Sequence, residues 1–360
     1  MNTKFKSISN IIYLFIIFWV IASASFSGSI SKWGLGENDD RFTPDAIFNN
    51  TAHKPFIYRQ LVPQIAVHIE NVIPATLQQV ILKRFNPADY YVASQKMNQT
   101  LHKFAYLLMY IVSFFCIFFS LYILRLTLIN LGCNNIIAIF APTIMALFFP
   151  YFQTNGGHYY DYPEILFMAA AFLCTIKEKY SLLVVITILA TLNKETYFFF
   201  IIVLFPIMKH KLTMKKALFG ISGLVILSGI FNVILKYMYL SSPGGVFEFH
   251  LYDNWDLLTH FTIYRQHDLT YGIPNLSRGS ELVLSMIFFV MLFISTWQTI
   301  PNFIKNHIRL ALIINIPLYF LFCYAGEVRD LSLLYVGIVI MVAYLLGQYI
   351  PQQSNVRGDK

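Results

Sequence analysis

Charged residues are scarce in this sequence: they make up 12% of its 360 residues, against about 25% in an average soluble domain. Hydrophobic residues reach 57% and aromatic residues 17%, with 34 phenylalanines and 23 tyrosines. This composition does not suit a soluble core, but it is typical of lipid-facing helices with aromatic rings at the membrane interface. The composition therefore predicts a polytopic membrane protein of the all-α class.

Motifs for several kinds of chemistry are also missing. The sequence contains no CxxC, HExxH, GxGxxG or phosphate-binding-loop pattern, which are the usual signatures of zinc and nucleotide sites. A net charge of +8 arises from short basic loops and predicts no nucleic-acid partner. No disulfide framework is expected, because the cysteines fall in predicted spans or on the predicted cytoplasmic side: Cys116, Cys133, Cys174 and Cys323.

Apolar segments recur along the whole chain. A helix needs about 20 apolar residues to cross the hydrocarbon core of a bilayer. Three of the candidates are short, so nine or eleven spans are alternatives to ten, and the first is alternatively a cleaved signal peptide. The ten candidate spans are 11–28, 104–124, 135–150, 165–176, 181–192, 196–208, 217–239, 281–299, 310–325 and 331–349.

The distribution of charge predicts the orientation. With the N-terminus inside, the cytoplasmic segments hold 13 basic residues against only Glu178 and Asp359, and 16 of the 18 acidic residues fall on the other side or at outer helix ends. Basic residues in short loops, such as 209–216, mark the cytoplasmic side. Both termini are therefore predicted to be cytoplasmic, with 1–350 as a single transmembrane domain and 351–360 as a tail.

Two long outer segments are predicted. The first, 29–103, opens with acidic residues, and its apolar residues recur at helical spacing over 56–69 and 75–85. These two stretches predict amphipathic helices lying along the membrane surface, with a small packed subdomain as the alternative. The second, 240–280, suits a loop that covers a substrate.

Three shorter outer segments, 151–164, 192–196 and 326–330, concentrate polar groups near the membrane surface. Ionisable side chains next to lipid are costly and usually face the interior of the helix bundle. An interfacial tyrosine belt and mutual ion pairing are the structural alternatives to a binding role. Together with the first outer segment, these segments supply the candidate substrate-binding residues Tyr58, Arg59, His158, Asp161, Lys194, Glu195, Glu327 and Arg329.

A paired acid after the first span, followed by two surface helices, resembles the GT-C superfamily of membrane glycosyltransferases. The strings Tyr58-Arg59-Gln60-Leu61-Val62-Pro63, Asn193-Lys194-Glu195-Thr196 and Glu327-Val328-Arg329 are also similar to bacterial polytopic proteins associated with surface polysaccharide. This chain lacks the large C-terminal soluble domain of many superfamily members. The resemblance implies a GT-C-like fold in the bacterial inner (plasma) membrane. It also implies transfer of a sugar from a polyprenyl-phosphate carrier to a glycan, lipid or protein acceptor on the non-cytoplasmic face.

The implied reaction needs a base for the acceptor hydroxyl and cations for the phosphate leaving group. The resemblance makes Asp39 or Asp40 the catalytic carboxylate, and direct attack by the acceptor would invert the anomeric carbon. Arg59 and Arg329 are the candidate phosphate contacts. A divalent cation, Mg or Mn, is a further alternative, with Asp40 and Asp161 as oxygen ligands.

Two rival functions remain open from the sequence. A polymerase of O-antigen or exopolysaccharide would also act on polyprenyl-linked glycans, with two arginine-rich outer loops as its signature. A flippase or transporter of lipid-linked glycans would place ionisable residues and broken helices near the middle of the bilayer. Scattered arginines and acids gathered at outer helix ends favour the glycosyltransferase.

Overall fold

A computed structural model describes residues 3–36, 39–153, 157–245, 247–260, 267–270, 273–276 and 278–350. This part of the chain is helical apart from one antiparallel two-stranded ribbon formed by β1 (His267–Thr270) and β2 (Ile273–Leu276), so the predicted helical class is confirmed. The predicted tail, 351–360, lies outside the described residues.

The helices follow one another along the chain with short connections, and 3₁₀ turns at Phe56–Tyr58, Pro87–Asp89, Val92–Asn98, Val328–Asp330 and Ser332–Leu334 interrupt the longer loops. The α-helices are α1 (Thr3–Trp33), α2 (Pro44–Phe48), α3 (Leu61–Val72), α4 (Ala75–Arg84), α5 (Lys103–Asn130), α6 (Asn135–Phe152), α7 (Asp161–Ile176), α8 (Tyr180–Asn193), α9 (Tyr197–Val203), α10 (Phe205–Lys211), α11 (Met214–Met238), α12 (Leu251–Thr259), α13 (Arg278–Thr296), α14 (Asn302–Phe322) and α15 (Tyr335–Tyr349).

Within the described residues, five segments are long and apolar enough to cross a membrane: Ser9–Trp33, Lys103–Asn130, Asn135–Phe152, Met214–Met238 and Ser332–Tyr349. Each of the ten predicted spans contains helix, but over the described residues the other five do not meet that length and composition. The predicted span 196–208 is divided into α9 and α10, because Pro206 cannot continue the helical hydrogen-bond ladder.

The first outer segment contains α3 and α4, close to the two helices that the apolar spacing predicted, and also the short helix α2. The helix α3 begins at Leu61 rather than at Phe56, which belongs to a 3₁₀ turn. Val62 and Ala66 of α3 are buried, whereas Ile65 and Val72 are exposed, so α3 presents an apolar outer face. Together α3 and the segment Ala75–Asp89 form a bent pair with an angle of 118° that also has the composition of a broken span or a re-entrant loop.

The first outer segment is joined to the bundle by one buried carboxylate. Glu70 of α3 accepts hydrogen bonds from the backbone N–H groups of Phe104 (3.1 Å) and Ala105 (3.0 Å) at the start of α5. The first N–H groups of a helix have no partner inside the helix, and a negative charge there is favourable. Glu70 therefore fixes α3 against α5, which packs in turn against α1, α6 and α7.

Candidate functional site

All five predicted outer segments meet at one cavity with a volume of about 620 Å³. Its walls mix charged groups with aromatic and aliphatic side chains, and come from the end of α1, the 3₁₀ turn before α3, the α8–α9 turn, α11, the segment 247–248 and the α14–α15 connection. The lining includes Asp39, Arg41, Tyr58, Arg59, His158, Lys194, Glu195, Phe198, Phe199, Gly229, Asn232, Lys236, Phe247, Glu248, Asn315, Leu318, Phe322, Tyr324, Glu327, Arg329 and Asp330.

Arg59 forms a forked ion pair with Glu195. Its Nε lies 3.2 Å from Oε2 of Glu195 and its Nη2 lies 2.8 Å from Oε1. The Tyr159 hydroxyl donates to the Arg59 carbonyl at 2.8 Å, and the guanidinium carbon lies 4.1 Å from the centroid of the Tyr160 ring. Burial acts to lower the pKa of Arg59, but the adjacent Glu195 carboxylate outweighs it and raises that pKa. The guanidinium is therefore permanently charged and held rigidly.

Lys194 connects three elements of the bundle. Its ammonium lies 2.9 Å from Oε2 of Glu164 and 3.1 Å from Oδ1 of Asp330, and Ser332 donates to the other oxygen of Glu164 at 2.8 Å. Lys194 is 4% exposed. A buried charge is tolerated only when it is paired and hydrogen-bonded, so this cluster ties the α8–α9 turn to α7 and to the α14–α15 connection.

Arg329 holds two further carboxylates. Its Nη1 lies 2.8 Å from Oδ1 of Asp161, and its Nη2 lies 3.0 Å from Oε1 of Glu327. Burial raises the pKa of Glu327, which Arg329 only partly offsets. Burial also acts to raise the pKa of Asp330, but there Arg329 and Lys194 outweigh it and lower that pKa. Of these two acids, Glu327 therefore has the higher pKa.

His158 and Tyr160 form an aromatic pair beside these cations, since Arg59, Lys194 and Arg329 lie 4.1–6.0 Å from the centroid of the Tyr160 ring. Their rings stack with centroids 4.9 Å apart and an angle of 10° between planes. Burial and the nearby Arg329 charge lower the pKa of His158 well below its usual value, so the imidazole is neutral. Gly36, with φ of +97°, lies directly against this ring, and a side chain there would collide with Nδ1 of His158. Only glycine suits that close approach.

Asp39 lies at the mouth of the cavity in a separate cluster. Its Oδ2 accepts from Arg41 Nη2 at 2.6 Å and from Nε at 2.8 Å. Arg41 also donates to the Tyr324 hydroxyl at 3.1 Å, and that hydroxyl donates to Glu248. The hydrogen bond from Arg41 lowers the pKa of Asp39. This cluster joins the first outer segment to the segment 247–248 and to the α14–α15 connection.

The two paired acids have different environments. Asp39 lines the cavity, whereas the Asp40 side chain is 95% exposed and lies 2.9 Å from the ammonium of Lys96. Asp161 is buried behind Arg329 and does not line the cavity. Asp40 and Asp161 therefore do not share a metal-binding environment, and no group of three or more His, Cys, Asp or Glu side chains within the described residues has the arrangement of a metal site.

Eight of the ten predicted site residues line the cavity: Asp39, Tyr58, Arg59, His158, Lys194, Glu195, Glu327 and Arg329. Arg59 and Arg329, the candidate phosphate contacts, are each paired with a carboxylate in the structure. The mutual pairing of Arg329 with Glu327 that was the structural alternative is present.

Several cavity residues were not singled out from the sequence. Arg41, Glu248 and Tyr324 form the cluster around Asp39, and Lys236 and Asn232 reach the cavity from α11. A lysine in the last turn of an apolar helix is typical of the membrane interface, so Lys236 gave no separate signal. Its spacing from Asn232 and Gly229 on one helical face was the only indication in the sequence that Lys236 belongs to a binding site.

Comparison of this chain with protein-family models, with curated proteins and with solved structures finds no match.

Proposed function

We propose that this protein is a GT-C-like glycosyltransferase that moves a sugar from a polyprenyl-phosphate carrier to a glycan, lipid or protein acceptor. The observation that carries the proposal is a single 620 Å³ cavity in which the carboxylate Asp39, four arginine and lysine side chains besides Arg41, and apolar walls occur together. A sugar attached to a lipid phosphate presents hydroxyl groups, an anion and a hydrocarbon chain, and the cavity offers complementary groups for all three.

Asp39 is the proposed base. Its carboxylate would take the proton of the acceptor hydroxyl while that oxygen attacks the anomeric carbon. The bond from the anomeric carbon to the phosphate oxygen breaks, and the polyprenyl phosphate leaves with the bonding electrons. Because the attack is direct, the anomeric configuration inverts. A phosphate leaving group requires stabilisation of negative charge rather than strong acid assistance, which the cations of the cavity would supply.

The paired state of Arg59 and Arg329 is compatible with this chemistry. Each guanidinium shares its donors with carboxylates at 2.8–3.2 Å, which fixes its position before substrate binds. Preorganised donors cost no reorganisation when charge develops in the transition state. These arginines are therefore proposed to position the substrate and to polarise the bond that breaks, whereas a different side chain contacts the phosphate directly.

We further propose ten membrane-crossing segments, with the cavity on the non-cytoplasmic face and both termini in the cytoplasm. The labelling test uses a cysteine-free background, because four native cysteines are present. Asp40→Cys and Asp253→Cys, at positions with 95% and 63% exposed side chains, are expected to react with an impermeant thiol reagent in intact cells. Thr213→Cys, exposed at the opposite end of the bundle, is expected to react only after permeabilisation; the reverse pattern would invert the orientation.

The decisive experiment reconstitutes the full chain in vesicles with polyprenyl-phosphate sugars and candidate acceptors. Sugar incorporation with equimolar release of polyprenyl phosphate, and inversion at the anomeric carbon, is the expected result. Repeated addition of long glycan units would instead identify a polymerase. Movement of the lipid-linked glycan across the bilayer without cleavage would identify a flippase. Either of those outcomes removes the proposed activity.

A further inference from the structure

One wall of the cavity lies apart from the paired charges. Gly229, Asn232 and Lys236 of α11 line it at spacings of three and four residues, which places them on one helical face. On α14, Asn315, Leu318 and Phe322 line the facing wall at the same spacing. The helix α9 packs against both α11 and α14 and contributes Phe198 and Phe199 to the lining. These eight residues define the α11–α14 slot.

Lys236, at the outer end of the slot, differs from the other cations that line the cavity. Arg41, Arg59, Lys194 and Arg329 each have a carboxylate oxygen within 3.2 Å. Among the residues that the structure describes, no carboxylate lies within ion-pair distance of Lys236. Its ammonium instead lies 5.8 Å from the centroid of the Phe247 ring. A half-buried ammonium that faces a cavity and has no carboxylate partner suits an anionic ligand.

The inner part of the slot is open at Gly229 and has Asn232 and Asn315 among its lining residues. Gly229 lies two turns below Lys236, about 10 Å along the helix axis, and no atom lies within 4 Å of the position that its Cβ would occupy. The neighbouring α11 residues Ile226, Ile230 and Val233 are 62%, 51% and 66% exposed, as expected of a face in contact with lipid. The slot is therefore continuous with the apolar exterior of the bundle.

A lipid phosphate matches this arrangement in both charge and shape. The phosphate would meet Lys236, and the first units of the chain would extend past Gly229 between α11 and α14. Phe247 spans the outer end, because its ring lies 5.7 Å from that of Phe322 as well as against Lys236. A free phosphate would use Lys236 but would leave the apolar part of the slot empty.

We propose that the α11–α14 slot binds the phosphate and the adjoining chain of an isoprenoid phosphate, with Lys236 as the phosphate contact. This inference rests on the proposed function, since it assigns the carrier half of the donor to a specific part of the cavity. It gives the slot a single occupant, which enters sideways from the membrane rather than from the aqueous mouth near Asp39.

Two glycines of α11 offer a matched pair for the test. At both Gly229 and Gly223 the Cβ position is open, but only Gly229 lines the cavity. The probe is a C15 isoprenoid phosphate with a photoreactive group on its chain, crosslinked to the purified full-length protein in lipid nanodiscs. Gly229→Leu is expected to lower specific crosslinking at least about tenfold, and Gly223→Leu to leave it unchanged. Asn232→Leu fills the same face and serves if Gly229→Leu aggregates.

The charge is tested with the same probe. Lys236→Gln is expected to weaken binding about tenfold, which corresponds to about 1.4 kcal/mol, because the amide lacks the positive charge, while Lys236→Arg retains binding. Equal crosslinking in Gly229→Leu and wild type, or competition by inorganic phosphate as strong as by the isoprenoid phosphate, overturns the proposal. Competition by an anionic glycerophospholipid that is as strong as competition by the isoprenoid phosphate also overturns the proposal. Crosslinking needs no sugar transfer, so the two proposals can be separated. If the slot variants lose binding but the wild-type protein shows no transferase activity, the slot proposal stands and the proposed activity is rejected.

Discussion

Asp39→Asn is expected to abolish sugar transfer, with a loss of about 10²–10⁴-fold in kcat, while binding of the lipid donor is preserved. The amide keeps the size of the carboxylate but cannot accept the acceptor's proton. Asp39 is the member of the acidic pair that lines the cavity. The measurement is the rate of sugar incorporation in vesicles at saturating donor, with the amount of correctly inserted protein determined in parallel.

Asp40→Asn is the matched control, because it makes the same chemical change one residue away on a side chain that is 95% exposed and paired only with Lys96. It is expected to retain activity close to wild type. If Asp40→Asn is the inactive variant and Asp39→Asn is active, the assignment of the base is wrong. The two variants together separate a catalytic carboxylate from a general effect of charge at the membrane surface.

The acidity of Asp39 adds a pH signature to the same measurement. Arg41 lowers the pKa of Asp39, so the carboxylate stays ionised throughout the neutral range and activity should fall only at a pH below the ordinary value of about 3.9 for aspartate. Removing the cation in Arg41→Gln lets that pKa rise. The acidic limb of kcat/KM is therefore expected to move to higher pH, and an unshifted limb would argue that Asp39 is not the titrating base.

The second large effect is expected at Arg329. Arg329→Gln leaves Asp161 and Glu327 buried without their shared cation, and removing one partner of a buried ion pair typically costs about 3–5 kcal/mol. Both carboxylates contact Arg329 directly at 2.8–3.0 Å, and the Tyr335 hydroxyl donates to its carbonyl. The measurement is thermal or denaturant unfolding of the purified protein in detergent. A strong decrease in stability is expected before any effect on donor binding is considered.

Arg309→Gln provides the comparison for that measurement. Arg309 lies on α14, is exposed, and its side-chain hydrogen bond is a long one of 3.4 Å to Asn306. Its guanidinium carbon lies 5.1 Å from the centroid of the Trp297 ring, an exposed contact that contributes about 0.5–1 kcal/mol, so its replacement is expected to cost no more than about 1 kcal/mol. Equal stability of the two variants would show that the buried cluster around Arg329 contributes little to the fold.

Much of the architecture could be predicted from the sequence because lipid and water impose different demands on a helix. The long apolar runs in α1, α5, α6, α11 and α15 overlap five of the predicted spans, whose ends differ by up to six residues from those of the segments long enough to cross a membrane. The gathering of the outer segments around one cavity also followed from charge asymmetry, since acids placed beside lipid must turn toward the bundle interior.

The pairing inside the cavity could not be predicted. Arg59 and Glu195 are separated by 136 residues, as are Lys194 and Asp330, and neither local spacing nor composition indicates which carboxylate meets which cation. The sequence also does not distinguish Asp39 from Asp40, because the choice depends on the direction in which the turn after α1 orients each side chain. The division between α9 and α10 was hidden because the apolar run continues through Pro206.

The buried ion pairs have a consequence for how the protein is made. Asp161 precedes Arg329 by 168 residues, so a growing chain already holds Asp161 long before the ribosome reaches Arg329, whereas Glu164 and Lys194 can pair with each other as soon as both have been made. Asp161 therefore lacks its arginine partner until the connection between α14 and α15 has been synthesised. The buried cluster is therefore completed only by the C-terminal part of the chain, and a polypeptide that stops before residue 329 leaves Asp161 without that guanidinium.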